Sequence, residues 1–202
     1  DLIQVAKDCE RFGAQGITVH PRPDERHCKF SDLPLLKEAC TTEFNIEGYP
    51  NRHFLEEVIK VKPHPCTLVP DDPNQITSDH GWDTIKHKSF LQEVIQELKQ
   101  HDIRVSLFID ADKKLIEGAA AVNADRIEYY TGPYAKNYSK NPENAIKELK
   151  ETCSLAVELG LGINAGHDLN LDNLKYLKDN LPQLDEVSIG HALICDAIYL
   201  GL

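Results

Sequence analysis

Seven short β-rich runs alternate with amphipathic helical windows along this chain, and no other feature of the sequence limits its fold as sharply. The runs fall at 16–20, 43–47, 66–69, 104–109, 126–130, 161–164 and 186–189. Most are apolar and bounded by Gly, Pro or charged residues, the pattern of strands covered on both faces of a parallel sheet. The windows between them carry helix punctuation. Asn141-Pro142 reads as an N-cap with Pro at N1, followed by a stripe of Ile146, Leu149, Cys153 and Val157 and closed by Gly160. Asn51 caps a helix that turns Phe54, Leu55, Val58 and Ile59 inward and ends before Pro63. Phe90, Leu91, Val94, Ile95 and Leu98 form another apolar face, and Leu2, Val5, Ala6, Cys9 and Phe12 another, ended by Gly13.

Strands alternating with helices join through right-handed βαβ crossovers into a parallel sheet. Over 202 residues this predicts a single α/β domain, residues 1–202, folded as a (β/α)8 TIM barrel. A closed barrel of this type needs eight strands, whereas this chain opens on a helix and supplies about one fewer. The first strand is therefore expected upstream of Asp1, and the complete lack of Met fits a sequence that starts after its true N-terminus. An open doubly wound sheet is the runner-up, but no G-x-G-x-x-G or Walker A loop occurs.

Charge narrows the partners. Lys+Arg 22 against Asp+Glu 33 leaves a net charge of −11 with no basic run, which argues against nucleic acid and anionic membranes. No apolar run approaches the roughly 18 residues of a membrane span, and residues 1–9 lack the layout of a signal peptide. The six cysteines (Cys9, Cys28, Cys40, Cys66, Cys153, Cys195) are scattered with no C-x-x-C pair, so they read as reduced, buried and inert thiols of a cytoplasmic protein.

Barrel active sites form at the C-terminal ends of the strands and in the loops beyond. Those positions hold His20 followed by Pro21-Arg22-Pro23 and Arg26-His27, then Glu47, Glu128, His167-Asp168 and Gly190-His191. Singly, each is as well explained as a structural His, a salt-bridge carboxylate or a solvated loop; their coincidence at one rim points to acid–base chemistry. Pro21 and Pro23 stiffen the loop around Arg22, whose fork suits a phosphate, and Gly190-His191 precede a helix whose free N–H groups could take a second. His20, Glu47, Glu128 and His167 could ligate a divalent ion, but neither H-x-H nor H-E-x-x-H spacing is present, so no metal is expected. Asp110 and Asp112 are read as capping the helix that begins near Lys113.

At these residues the sequence resembles the pyridoxine 5′-phosphate synthase family. The matching segments include Gly16-Ile-Thr-Val-His-Pro-Arg22, Phe44-Asn-Ile-Glu47, Lys62-Pro-His64, Thr67-Leu-Val-Pro70, Val105-Ser-Leu-Phe-Ile-Asp-Ala-Asp112, Asn164-Ala-Gly-His167 and Ile189-Gly-His-Ala192, running through nearly the whole chain. The resemblance implies condensation of 1-deoxy-D-xylulose 5-phosphate with 3-amino-2-oxopropyl phosphate to pyridoxine 5′-phosphate, with release of phosphate and water and without metal or organic cofactor. It implies that His20 and Glu47 accept protons, His167 donates one and Glu128 stabilises a transition state. It assigns Arg22, His27 and Thr77 to the deoxyxylulose phosphate, and Gly190 and His191 to the aminooxopropyl phosphate. It further implies an octameric homo-oligomer assembled through outer helices.

Two departures accompany the resemblance. Asp168 stands where many members carry a glycine whose backbone contacts the amine substrate, so it joins the substrate-binding candidates. The family's first-strand substrate-binding motif is absent and its C-terminal helix is shortened, so a protein of just these residues is expected to turn over poorly. A metal-independent sugar-phosphate epimerase or isomerase is the enzymatic alternative, and a non-catalytic phosphate-binding barrel the other.

Overall fold

The computed structural model describes residues 1–71 and 75–201. The chain runs α1 (Leu2–Arg11), β1 (Gly16–Val19), α2 (Leu33–Ala39), β2 (Glu43–Gly48), α3 (Arg52–Val61), β3 (Pro65–Leu68), α4 (Lys88–Lys99) and β4 (Arg104–Ile109). It continues through α5 (Lys113–Ala121), β5 (Arg126–Tyr130), α6 (Gly132–Tyr138), α7 (Pro142–Glu158), β6 (Gly162–Gly166), α8 (Leu174–Asn180), β7 (Glu186–Ser188) and α9 (His191–Leu200). All neighbouring strands pair in parallel and in sequence order, β1 through β7. The sheet curls into a nearly closed TIM-type barrel: a Cβ placed on Gly16 of β1 would lie 3.9 Å from Glu186 Oε1 of β7. Among the described residues the ladder is open between those two strands, which leaves Thr18 exposed.

Local chemistry explains most boundaries. Asn51 accepts from Phe54 N, Asn141 from Asn144 N, and Asp112 from Lys114 N and Leu115 N, each satisfying a free donor at a helix start. Gly13 (φ 110°) and Gly160 (φ 78°) follow α1 and α7 in the positive-φ conformation that closes a helix. Three stripe residues fall elsewhere than expected. Val5, Phe12 and Val157 are exposed, because α1 buries only Ala6 fully and α7 turns Thr152, Cys153 and Ala156 to the core.

The strands are not apolar on both faces, as the sequence suggested. They alternate. Outward residues such as Phe44, Ile46, Leu107, Ile127 and Ile163 are buried beneath the helices, each worth about 1.5–3 kcal/mol of burial. Most intervening residues are polar, Phe108 being an exception, and several join across the barrel interior: Asn45 donates to Thr18 Oγ1 and Thr67 Oγ1, Arg104 reaches Glu43 at 2.7 Å, and Asn164 links Arg126 to Glu186. The stable wall is therefore the strand–helix interface, and the lumen is left to polar groups. All six cysteines are free; Cys28, Cys66 and Cys153 are buried, whereas Cys195 is exposed, contrary to the expectation that all would be buried. Among the described residues no helix is long and apolar enough to cross a membrane.

Candidate active site

Because every strand is parallel, all C-termini share one rim, and the expected acid–base residues collect there. His20 follows β1 and Glu47 is the fifth residue of β2. Their side chains meet, His20 Nδ1 lying 3.1 Å from Glu47 Oε1. A carboxylate against one ring nitrogen orients the imidazole and leaves the other nitrogen for substrate.

Glu128, the third residue of β5, projects into the lumen and is only 2% exposed. Burial, then repulsion from Glu47 and Glu186, raises its pKa well above the usual 4.5. Its Oε2 has no hydrogen-bond partner among the described residues, which suits a neutral carboxylic acid kept for use. Gly166 on the adjacent strand makes room for it: a Cβ there would sit 2.2 Å from Glu128 Oε1.

Arg22 is not the free fork the sequence suggested. It is 4% exposed, and its Nη1 donates to Asp71 Oδ2 at 3.1 Å while Nη2 donates to the Gln75 carbonyl. Ser78 Oγ donates to the same Asp71 oxygen at 2.7 Å. Arg26 adds bonds to the Gln75 and Ile76 carbonyls, so the two arginines clamp the segment that carries Thr77. Among the described residues Arg22 Nε and Asp71 Oδ1 have no hydrogen-bond partner. Beside them opens a pocket of ≈ 420 Å³ lined by His20, Arg22, Tyr49, His53 and Asp71 among others, a size that suits a small ligand. A hollow of ≈ 480 Å³ on the outer wall, lined by Gln92, Ile95 and Asn123, carries no acid–base pair and is not the site.

His167, just past β6, has φ 89°, a conformation that costs a non-glycine residue about 1–3 kcal/mol and is kept where surrounding contacts enforce it. Thr131 Oγ1 holds the preceding Gly166 carbonyl, and the ring packs edge-on to Tyr130 with centroids 5.6 Å apart. Its Nε2 lies 2.9 Å from Thr77 Oγ1, bringing together residues 90 apart in sequence. Its Nδ1 is 3.1 Å from Asp168 Oδ2, at ion-pair distance but too oblique for a hydrogen bond.

The remaining candidates stand apart. His27 is exposed on the β1 loop, and burial together with Arg26, Arg22 and His20 lowers its pKa. Gly190 caps α9 and His191 begins it, both exposed; His191 Nε2 lies 3.5 Å from Cys195 Sγ. Asp112 caps α5 as expected, but Asp110 instead accepts from Gly81 N. Asp71, Ser78, Tyr130 and Gly166 enter the site from the structure alone, although Asp71 directly follows the Val69-Pro70 strand end, where such residues collect. Among the described residues no group of three or more His, Cys, Asp or Glu is gathered as a metal site.

All 202 residues match the family model described as pyridoxal phosphate biosynthesis protein PdxJ. Pyridoxine 5′-phosphate synthase of Cytophaga hutchinsonii is 60% identical over the whole chain, which spans 85% of that protein. The protein of the same name from Bacteroides thetaiotaomicron is 56% identical over the same shares. Among solved structures, phosphoribosylanthranilate isomerase of Thermotoga maritima superposes with a TM-score of 0.61 at 12% identity, covering 93% of this chain and 81% of that one; this likeness concerns the barrel alone. The chain belongs to the PdxJ family of pyridoxal phosphate biosynthesis proteins and is an enzyme of the pyridoxine 5′-phosphate synthase kind.

Proposed function

We propose that the enzyme condenses 1-deoxy-D-xylulose 5-phosphate with 3-amino-2-oxopropyl phosphate to pyridoxine 5′-phosphate, releasing phosphate and water. His20 and Glu47 accept protons, His167 donates one, and Glu128 steadies charge in the transition state. Arg22, His27 and Thr77 hold the first phosphate substrate; Gly190 and His191, with Asp168, hold the second. The observation that carries this reading is the set of acid–base groups at one barrel mouth: the His20–Glu47 pair at 3.1 Å, buried Glu128 beneath it, and His167 held on the same rim. Imine formation, phosphate elimination, enolisation and ring closure are successive proton transfers, and each positioned acid or base supplies on the order of 10²–10⁴-fold. The reading also takes the protein to be a cytoplasmic homo-oligomer, which sedimentation of the full-length protein tests.

The deciding experiment mixes the two phosphates with full-length protein and follows the fluorescence of the pyridine product. His167→Ala is expected to cut turnover at least about a hundredfold. No product from the wild-type protein, with both phosphates bound, would favour a binding barrel; undiminished turnover in the variant would remove His167 from the donor role.

A further inference from the structure

We propose that Asp168 is a positioning residue for His167: its carboxylate, set against the enclosed Nδ1, fixes the ring so that Nε2 is the nitrogen offered to the substrate. This rests on the donor role given to His167 above. Nδ1 is closed off from solvent and makes no hydrogen bond among the described residues; the Asp168 carboxylate, 3.1 Å away, is the charge set against it. On the other side Nε2 faces the Thr77 hydroxyl at 2.9 Å. The three side chains form a row, carboxylate to imidazole to hydroxyl, across the barrel mouth.

The backbone holds Asp168 where this row needs it. Its carbonyl accepts from Asn173 Nδ2 at 3.2 Å; Asn173 is itself buried, and its own carbonyl accepts from the Tyr134 hydroxyl at 2.7 Å. Asn170 N and Asn173 Oδ1 bond at 2.9 Å, which ties the loop to itself. In the neutral ring, the carboxylate beside Nδ1 favours a proton there electrostatically, although the angle is too oblique for a hydrogen bond, and the bare Nε2 accepts from Thr77. In the protonated ring, Nε2–H is the bond broken on donation: the proton passes to the departing oxygen, its electron pair stays on Nε2, and the proton on Nδ1 remains. Asp168 thus complements both states without being consumed.

Other charged or titratable groups face this rim. Tyr130 packs against the ring and lies within electrostatic reach of Asp168, Asp79 and Asp110, and Glu128 sits beneath Gly166. All four persist when Asp168 is replaced, so the change in the variant reports on Asp168. Its side chain is 47% exposed, so the charge is screened and the expected shifts are modest.

The test uses full-length protein labelled with ¹⁵N-histidine, as wild type, Asp168→Asn, Asp168→Gly and His167→Ala. In wild type the neutral His167 ring is expected as the Nδ1–H tautomer; in Asp168→Gly it moves toward Nε2–H. Turnover at saturation falls about tenfold in Asp168→Gly, while KM for the deoxyxylulose phosphate, which Asp168 does not hold, changes less than about twofold. Loss of stability alone would lower the yield of active protein and leave the tautomer unchanged. If His167→Ala is inactive while both Asp168 variants match wild type in tautomer and turnover, the positioning role is wrong and the donor role stands. If His167→Ala keeps wild-type turnover, the donor role itself fails.

Discussion

Replacing Glu128 by Gln tests whether the barrel lumen holds a neutral acid. The side chain is 2% exposed, its Oε2 is unpartnered among the described residues, and its electrostatic neighbours Glu47 and Glu186 are both acidic. Burial and like charge therefore raise its folded-state pKa above the 4.5 of an exposed glutamate. Between those two values the folded protein holds a proton that the unfolded chain has released, so wild-type stability falls as pH rises through that window. Within that window the slope approaches about 1.4 kcal/mol per pH unit. Gln keeps the shape and has no proton to lose. The variant should therefore gain on wild type steadily as pH rises, with the gain levelling off above the raised pKa. Urea unfolding of both proteins at pH 5, 6 and 7, with equal m-values, measures the difference directly. Glu186, also raised by burial and by Glu43, and Glu10 titrate in both proteins, so their contributions largely cancel in the comparison. Parallel stability–pH curves would refute the argument, because Glu128 would then be ionised in the folded lumen.

Three further perturbations follow from the same contacts. Gly166→Ala puts a methyl 2.2 Å from Glu128 Oε1; it should cost about 1–3 kcal/mol in urea unfolding and lower kcat with little change in KM. Asp71→Ala strips the carboxylate from buried Arg22 and from Ser78, and should cost about 3–5 kcal/mol, read as a lower urea midpoint. Glu10→Gln removes a carboxylate that accepts from the backbone and hydroxyl groups of Thr41 and Thr42. Burial works against that carboxylate, but the bonds from Thr42 and Thr41 outweigh it and hold its pKa down. Its stabilisation, about 1 kcal/mol at this partly exposed site, is present above the usual 4.5 and lost as pH falls, so variant and wild type should converge in acid.

What the sequence made legible is what short-range chemistry decides. Asn51, Asn141 and Asp112 bond to donors two or three residues away, so each helix start is encoded locally. The rim residues were legible for a topological reason: parallel strands end together, so His20, Glu47, Glu128 and His167 had to share one end of the barrel. The partners of Arg22 were not legible. Asp71 lies 49 residues away in sequence, and nothing in the local pattern distinguishes a buried counter-ion from a loop aspartate. The exposure of Phe12 and Val157 was equally hidden, because apolar spacing marks a stripe without saying which edge of it meets the wall.

The most instructive misreading concerns the strands themselves. In Glu43-Phe-Asn-Ile-Glu47, alternation of this kind usually marks a sheet with one face in water, yet here the polar face lines the lumen of a barrel. The lumen is also graded along its axis. At the strand starts, Glu43 pairs with Arg104, and Arg126 bonds to Asp185 and Asn164. In the middle, Thr18, Asn45 and Thr67 are neutral and bonded to one another. Toward the strand ends, Glu47 is matched only by His20, and Glu128 by no cation within its hydrogen-bonding reach among the described residues. Glu128, buried without a cation in reach among the described residues, lies on the C-terminal side of these pairs, and burial with Glu47 and Glu186 nearby favours its protonated form. The hydrophobic wall makes this arrangement tolerable: the strand–helix interface supplies the stability, so the lumen can keep groups that a packed core would reject.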